Sequence, residues 1–143
     1  GIIRNQCGTQ PMLSMIALDA AMDVWDDVDM QAVRKKSIAL CKTFANLAES
    51  RCGKHRLSLA GPRNFERRGS QVSLNCPEGY AVMQALIANN VVGDFRAPDK
   101  IRFGFTPLYT RFVDVWDAVE ALARILDQRL WDAPQFLAKK AVT

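Results

Sequence analysis

Arg102 is the one cation in an otherwise apolar stretch, Ile101-Arg102-Phe103-Gly104-Phe105, which runs on into Thr106-Pro107-Leu108-Tyr109. A guanidinium is a rigid fork of donors that matches two carboxylate oxygens, so an arginine at the end of a strand is placed to grip a carboxylate. Ile101, Phe103 and Phe105 are expected to keep water away from such a pair. The competing reading is a structural ion pair within the fold, since buried arginines serve both roles. Thr9 is the second candidate. Its hydroxyl stands just ahead of a helix that Pro11 would start, where unsatisfied backbone N–H groups and the helix dipole favour a phosphate. The plainer alternative is that Thr9 caps that helix.

The remaining chemistry-bearing residues form no motif. Ser14, Ser37, Ser58, Ser70 and Ser73 have no histidine near them in sequence, and the single His55 lies between Lys54 and Arg56 in what reads as a solvated turn. A nucleophile–base triad does not emerge. Cys7, Cys41, Cys52 and Cys76 are widely spaced with no CxxC pair, which argues against zinc. Asp26, Asp27 and Asp29 suit helix capping better than a metal or a catalytic carboxylate pair. Arg34, Lys35, Lys36 and Lys42 read as a solvated helix face, and Arg63, Arg67 and Arg68 as a loop without the interleaved aromatics of a nucleic-acid surface.

Elements that must position Arg102 and Thr9 follow from periodicity. Residues 12–25 read as a mostly buried helix. Asp29 then caps a second helix with Met30, Val33, Ser37, Leu40, Cys41, Phe44, Leu47 and Ala48 on one face, stopped by Gly53. Residues 56–60 and 71–75 alternate and read as an antiparallel strand pair with one wet face. Pro77-Glu78-Gly79 opens a third helix that Asn89-Asn90 closes, and residues 91–96 and 100–105 give two more strands either side of a Pro98 turn. A long last helix carries Phe112, Val115, Val119, Leu122 and Leu126 inward, with Trp116 beside them. A short helix is expected after Trp131. This order predicts an α+β fold, a two-layer sandwich with a small antiparallel sheet and helices packed on one face.

The chain has 143 residues, 49% of them hydrophobic and 24% charged, with a formal net charge of +4. That is enough for one real core, and the mild, dispersed charge does not point to nucleic acid. No apolar run approaches the roughly 20 residues that span a bilayer, and nothing resembles a signal peptide, so a cytoplasmic protein with reduced thiols is expected. Residue 1 is glycine and residues 1–11 show no helix start or strand alternation of their own. The chain is therefore expected to open within a longer polypeptide.

Taken together, Cys7-Gly8-Thr9-Gln10-Pro11, Arg68-Gly69-Ser70-Gln71-Val72-Ser73, Pro77-Glu78-Gly79-Tyr80-Ala81-Val82, Gly93-Asp94-Phe95-Arg96 and residues 102–109 resemble the C-terminal part of the bacterial kynureninase family, over residues 3–143. The resemblance implies a fold-type-I enzyme dependent on pyridoxal 5′-phosphate, related to class V aminotransferases. Residues 1–11 would be a lead-in from a large domain and residues 12–143 the small C-terminal domain. The implied activity is hydrolysis of L-kynurenine to anthranilate and L-alanine in tryptophan catabolism, by a homodimer, with no nucleic-acid or membrane partner. Arg102 matches the family arginine that binds the substrate α-carboxylate. Thr9 matches the residue that contacts the cofactor phosphate, from the neighbouring subunit. No segment resembles the family's cofactor lysine, so the chain alone is expected to be inactive. Another class V-like enzyme, or a non-catalytic α+β module that binds an amino acid, are the alternatives left open.

Overall fold

The computed structural model describes residues 1–5, 7–9 and 11–138. The chain divides into two compact units, Gly1–Gln31 and Ala32–Thr143. In the first, a 3-10 turn at Ile2–Asn5 precedes helix α1 (Met12–Met22), and a second 3-10 turn, Asp23–Trp25, follows it. Pro11 is the N-cap of α1 rather than its first helical residue. Residues 12–25 are helical as the sequence predicts, but they are not buried. Leu13 is 85% exposed and Ile16 60%, and no residue of α1 is buried. Its Met, Leu, Ile and Ala side chains occur all round the helix, so the pattern announces burial without providing a covering surface.

Helix α2 (Met30–Cys52), which from Ala32 onward belongs to the second unit, starts where Asp29 Oδ1 accepts the Gln31 N–H at 2.8 Å, as its capping role requires. The unit continues with β1 (Ser58–Ala60), β2 (Gln71–Asn75), α3 (Gly79–Ala88), β3 (Asp94–Arg96), β4 (Lys100–Gly104), α4 (Phe112–Asp127) and α5 (Pro134–Leu137). All strand pairs are antiparallel, in the order β1-β2-β4-β3. This is the α+β architecture expected, with helices on one face of a small sheet. The stop signals differ in detail. Gly53 does not end α2 in the left-handed conformation; a 3-10 turn at Gly53–His55 intervenes and Arg56 takes that conformation at φ 62°. Asn90 does so after α3, at φ 63°.

Strand pleating sorts the sheet into two faces. Val72 and Leu74 of β2 and Ile101 and Phe103 of β4 are at most 4% exposed, and they form one core with Leu40, Phe44, Leu86, Val119, Leu122 and Ile125 of the helices. Phe44 lies at the centre, its ring 4.7 Å from that of Phe103 and 5.2 Å from that of Phe105. Phe112 and Trp116, expected on the inner face of α4, are both 46% exposed. They stand four residues apart on a stripe that turns away from the one holding Val115, Val119, Leu122 and Leu126.

The other face of the sheet is polar: Gln71, Ser73 and Asn75 from β2, Lys100 and Arg102 from β4, and Asp94 and Arg96 from β3. No helix among the described residues is long and apolar enough to cross a membrane.

Candidate functional site: an arginine on the open face of the sheet

Arg102 is the third of the five residues of β4, not the last, and it faces away from the core. Ile101, Phe103 and Phe105 point to the opposite side, because neighbours in a strand alternate. The apolar wall expected around the guanidinium is thus absent. Those three residues instead anchor the strand to the core, which fixes the backbone that carries Arg102. Its side chain keeps 28% of its surface exposed.

Two cross-strand neighbours flank it. Arg102 stands opposite Ser73 of β2 on one side and Asp94 of β3 on the other. The β3–β4 hairpin sets that second pairing, because Arg96 pairs with Lys100 across the connection and the register then carries Asp94 to Arg102. Arg102 Nε donates to Asp94 Oδ1 at 2.6 Å, and Arg102 Nη2 donates to Asp94 Oδ2. The hydrogen bond from Arg102 holds the Asp94 carboxyl below its usual range, and the same bond raises the arginine. Arg96 Nε is a looser partner of Asp94, at 3.9 Å. Lys100 pairs with Asp99 at 3.1 Å. Three cations, Arg96, Lys100 and Arg102, against two carboxylates, Asp94 and Asp99, leave this surface with a small excess of positive charge, which suits an anionic group.

Close packing under the hairpin keeps the strands at pairing distance. A β-carbon at Gly93 would stand 2.5 Å from the Arg102 carbonyl oxygen and 2.8 Å from Met83 Cε, so only glycine allows β3 to begin this near to β4. A β-carbon at Gly79, the first residue of α3, would stand 3.2 Å from the Phe95 ring, a tighter contact than most side chains make. Beyond β4, Phe105 N–H donates to Ser70 O at 2.8 Å, and Lys36 Nζ donates to Pro107 O at 2.6 Å, which fixes the segment that follows the arginine.

Thr9 belongs to the first unit, where it is exposed. Among the described residues no side chain caps α1, so the plainer role of Thr9 as its cap does not hold. Among the described residues, no hydrogen bond reaches its hydroxyl.

The other sequence candidates are engaged within the fold. His55 is not a free turn residue: its Nε2 lies 2.6 Å from Asp127 Oδ1, which Lys54 Nζ also approaches at 2.8 Å. Lys54 and His55 border a pocket of about 210 Å³ that Arg56, Arg129 and Trp131 also line. Arg63 makes a two-bond pair with Glu49, at 2.7 and 3.0 Å. Arg68 donates to Ala60 O at 3.3 Å and lies over the Phe65 ring. Lys139 and Lys140 lie outside the described residues. Sequence reasoning left Asp94 without a role. Its signal was the hairpin itself, since two residues equally distant from a short connection must face each other.

Comparison with known proteins gives a consistent assignment. The family model for the kynureninase C-terminal domain matches residues 33–122. The chain is 56% identical over all its 143 residues to the kynureninases of Burkholderia mallei (strain SAVP1) and Burkholderia pseudomallei (strain K96243), and 50% identical to that of Pseudomonas fluorescens. In each case it spans 34% of the relative's length. A family match over more than half of the chain, with identity extending from end to end, means that this chain belongs to the kynureninase family and corresponds to its C-terminal part.

Proposed function

We propose that the chain works as the C-terminal part of an enzyme that hydrolyses L-kynurenine to anthranilate and L-alanine, and that Arg102 holds the substrate α-carboxylate. The observation that carries this reading is the place of Arg102, rooted in a strand whose other face is core, on a surface with an excess of positive charge. A carboxylate bound there is held by a charged fork at a fixed point, which orients the amino acid relative to everything else in the site.

Pyridoxal 5′-phosphate, implied by the family, would supply an electron sink for charge that develops at the substrate Cα. The residues present fit only its phosphate end. Thr9 offers a hydroxyl that, among the described residues, has no hydrogen-bond partner, ahead of a first turn of α1 that none of their side chains caps, where backbone N–H groups favour a phosphate. None of the described lysines is buried, and Lys36, Lys54 and Lys100 are engaged by Pro107 O, Asp127 and Asp99. The group that binds the cofactor aldehyde is therefore assigned to the rest of a longer enzyme, and residues 1–11 to a lead-in from it. Contact by Thr9 across a homodimer is part of the same proposal.

The test is anthranilate fluorescence released from L-kynurenine with added cofactor. It is measured on this chain alone and on a polypeptide of the length of its relatives that ends in this chain. Activity in the longer protein and none in the shorter is the expected result. Turnover by the 143-residue chain would overturn the division of labour, and none by either would overturn the assigned reaction.

A further inference from the structure

A guanidinium has two edges that each present a pair of parallel N–H donors: the side-on edge, Nε with Nη2, and the end-on edge, Nη1 with Nη2. Asp94 occupies the side-on edge, through Nε at 2.6 Å and Nη2. The end-on edge is left over, and among the described residues no hydrogen bond reaches Nη1. We propose that Asp94 is a positioning residue for the substrate carboxylate: it keeps the side-on edge of Arg102 throughout binding and presents the end-on edge to the incoming anion. This rests on the reading of Arg102 as the carboxylate anchor.

Three observations support a retained partner rather than a placeholder that the substrate displaces. Asp94 and Arg102 are register partners in adjacent strands, so their backbones hold the pair together whether or not a ligand is present. Gly93, immediately before Asp94, permits the close approach of the two strands at this point, and any side chain there would force them apart. Finally, Asp94 is more exposed than Arg102, 49% against 28%, so the carboxylate lies toward the sheet rim while the arginine stays at the centre of the face. A long flexible arginine without that partner would sample several rotamers, and binding would have to freeze them.

The experiment uses the longer, active polypeptide and reads the preference for a carboxylate. That preference is the ratio of the inhibition constant of the decarboxylated amine of L-kynurenine to the KM of L-kynurenine. Arg102→Ala should abolish it. Asp94→Ala should shrink it roughly tenfold, the equivalent of one charge-assisted hydrogen bond, mostly through KM with kcat little changed. Asp94→Asn, which keeps an acceptor for Nε but sets an amide N–H against Nη2, should shrink it by less than Asp94→Ala does and serves if Asp94→Ala does not fold. A preference unchanged or enlarged in both Asp94 variants, with Arg102→Ala still abolishing it, would overturn the positioning role alone. A preference that survives Arg102→Ala would remove the anchor and the positioning role together.

Discussion

Replacing Gly93 by alanine is the sharpest structural perturbation available near Arg102. The added β-carbon would meet the Arg102 carbonyl oxygen at 2.5 Å and Met83 Cε at 2.8 Å, whereas real β-carbons essentially never come within 3.0 Å of such atoms. The methionine can swing aside, but the carbonyl belongs to the central part of β4. Relief therefore requires the strands to separate by about half an ångström where Asp94 meets Arg102. Forcing extra volume into a packed site costs about 1–3 kcal/mol, and the upper half of that range applies when the obstacle is backbone. Gly104→Ala is the matched control, since nothing lies within 4 Å of a β-carbon built there. It should be neutral, or stabilising by about 0.4–1 kcal/mol through the unfolded chain. Urea unfolding followed by circular dichroism reads both. With a slope of about 2 kcal/mol per molar urea, Gly93→Ala should lower the midpoint by about 1–2 M relative to Gly104→Ala. Equal midpoints for the two variants would refute the close-approach argument.

Other consequences are as direct. Phe44→Ala removes a fully buried ring that packs on Phe103 and Phe105 and should cost about 3–5 kcal/mol in the same assay; a loss under about 1 kcal/mol would mean that the core is centred elsewhere. Asp94 has its carboxyl held below the ordinary 3.8 by Arg102, so the pair's contribution to stability is fully present above about pH 4 and is lost as pH falls through the lowered value. A carboxyl-carbon NMR titration should show the Asp94 midpoint return toward 3.8 in Arg102→Ala, and an unmoved midpoint would contradict the pairing. Burial pushes the Cys52 and Cys76 thiols up to about 11 and raises Cys41 as well, while Cys7 is exposed. A disulfide reagent at pH 8 should therefore titrate one thiol quickly, and Cys7→Ser should remove that fast phase; a second fast thiol would count against the packing around the other three.

Much of the fold is written in local pattern. Gln71 to Asn75 alternates cleanly and forms the strand expected, Asp29 caps α2, and the core residues of α4 follow the helical period. The misreadings share a physical origin. Periodicity tells which side chains seek burial but not what covers them, so the apolar run of α1 predicts burial although its residues are exposed. It likewise placed Phe112 and Trp116 inward, although neither is buried. At Arg102, apolar neighbours in sequence are not neighbours in space, because a period of two sends them to the opposite face. The partner that matters, Asp94, is eight residues away and is reached only through the hairpin register. The candidate residue was legible from its type and setting; its environment required the sheet.

The central claim is that Arg102 anchors the substrate carboxylate, and the most direct measurement is kcat/KM for anthranilate release by Arg102→Ala in the longer polypeptide. Losing a hydrogen-bonded charge pair at the substrate should lower it by roughly a hundredfold or more, largely through KM. A value within about threefold of the unsubstituted enzyme, from a protein that folds normally, would contradict the account, because a loss of under 1 kcal/mol is too small for a charged anchor.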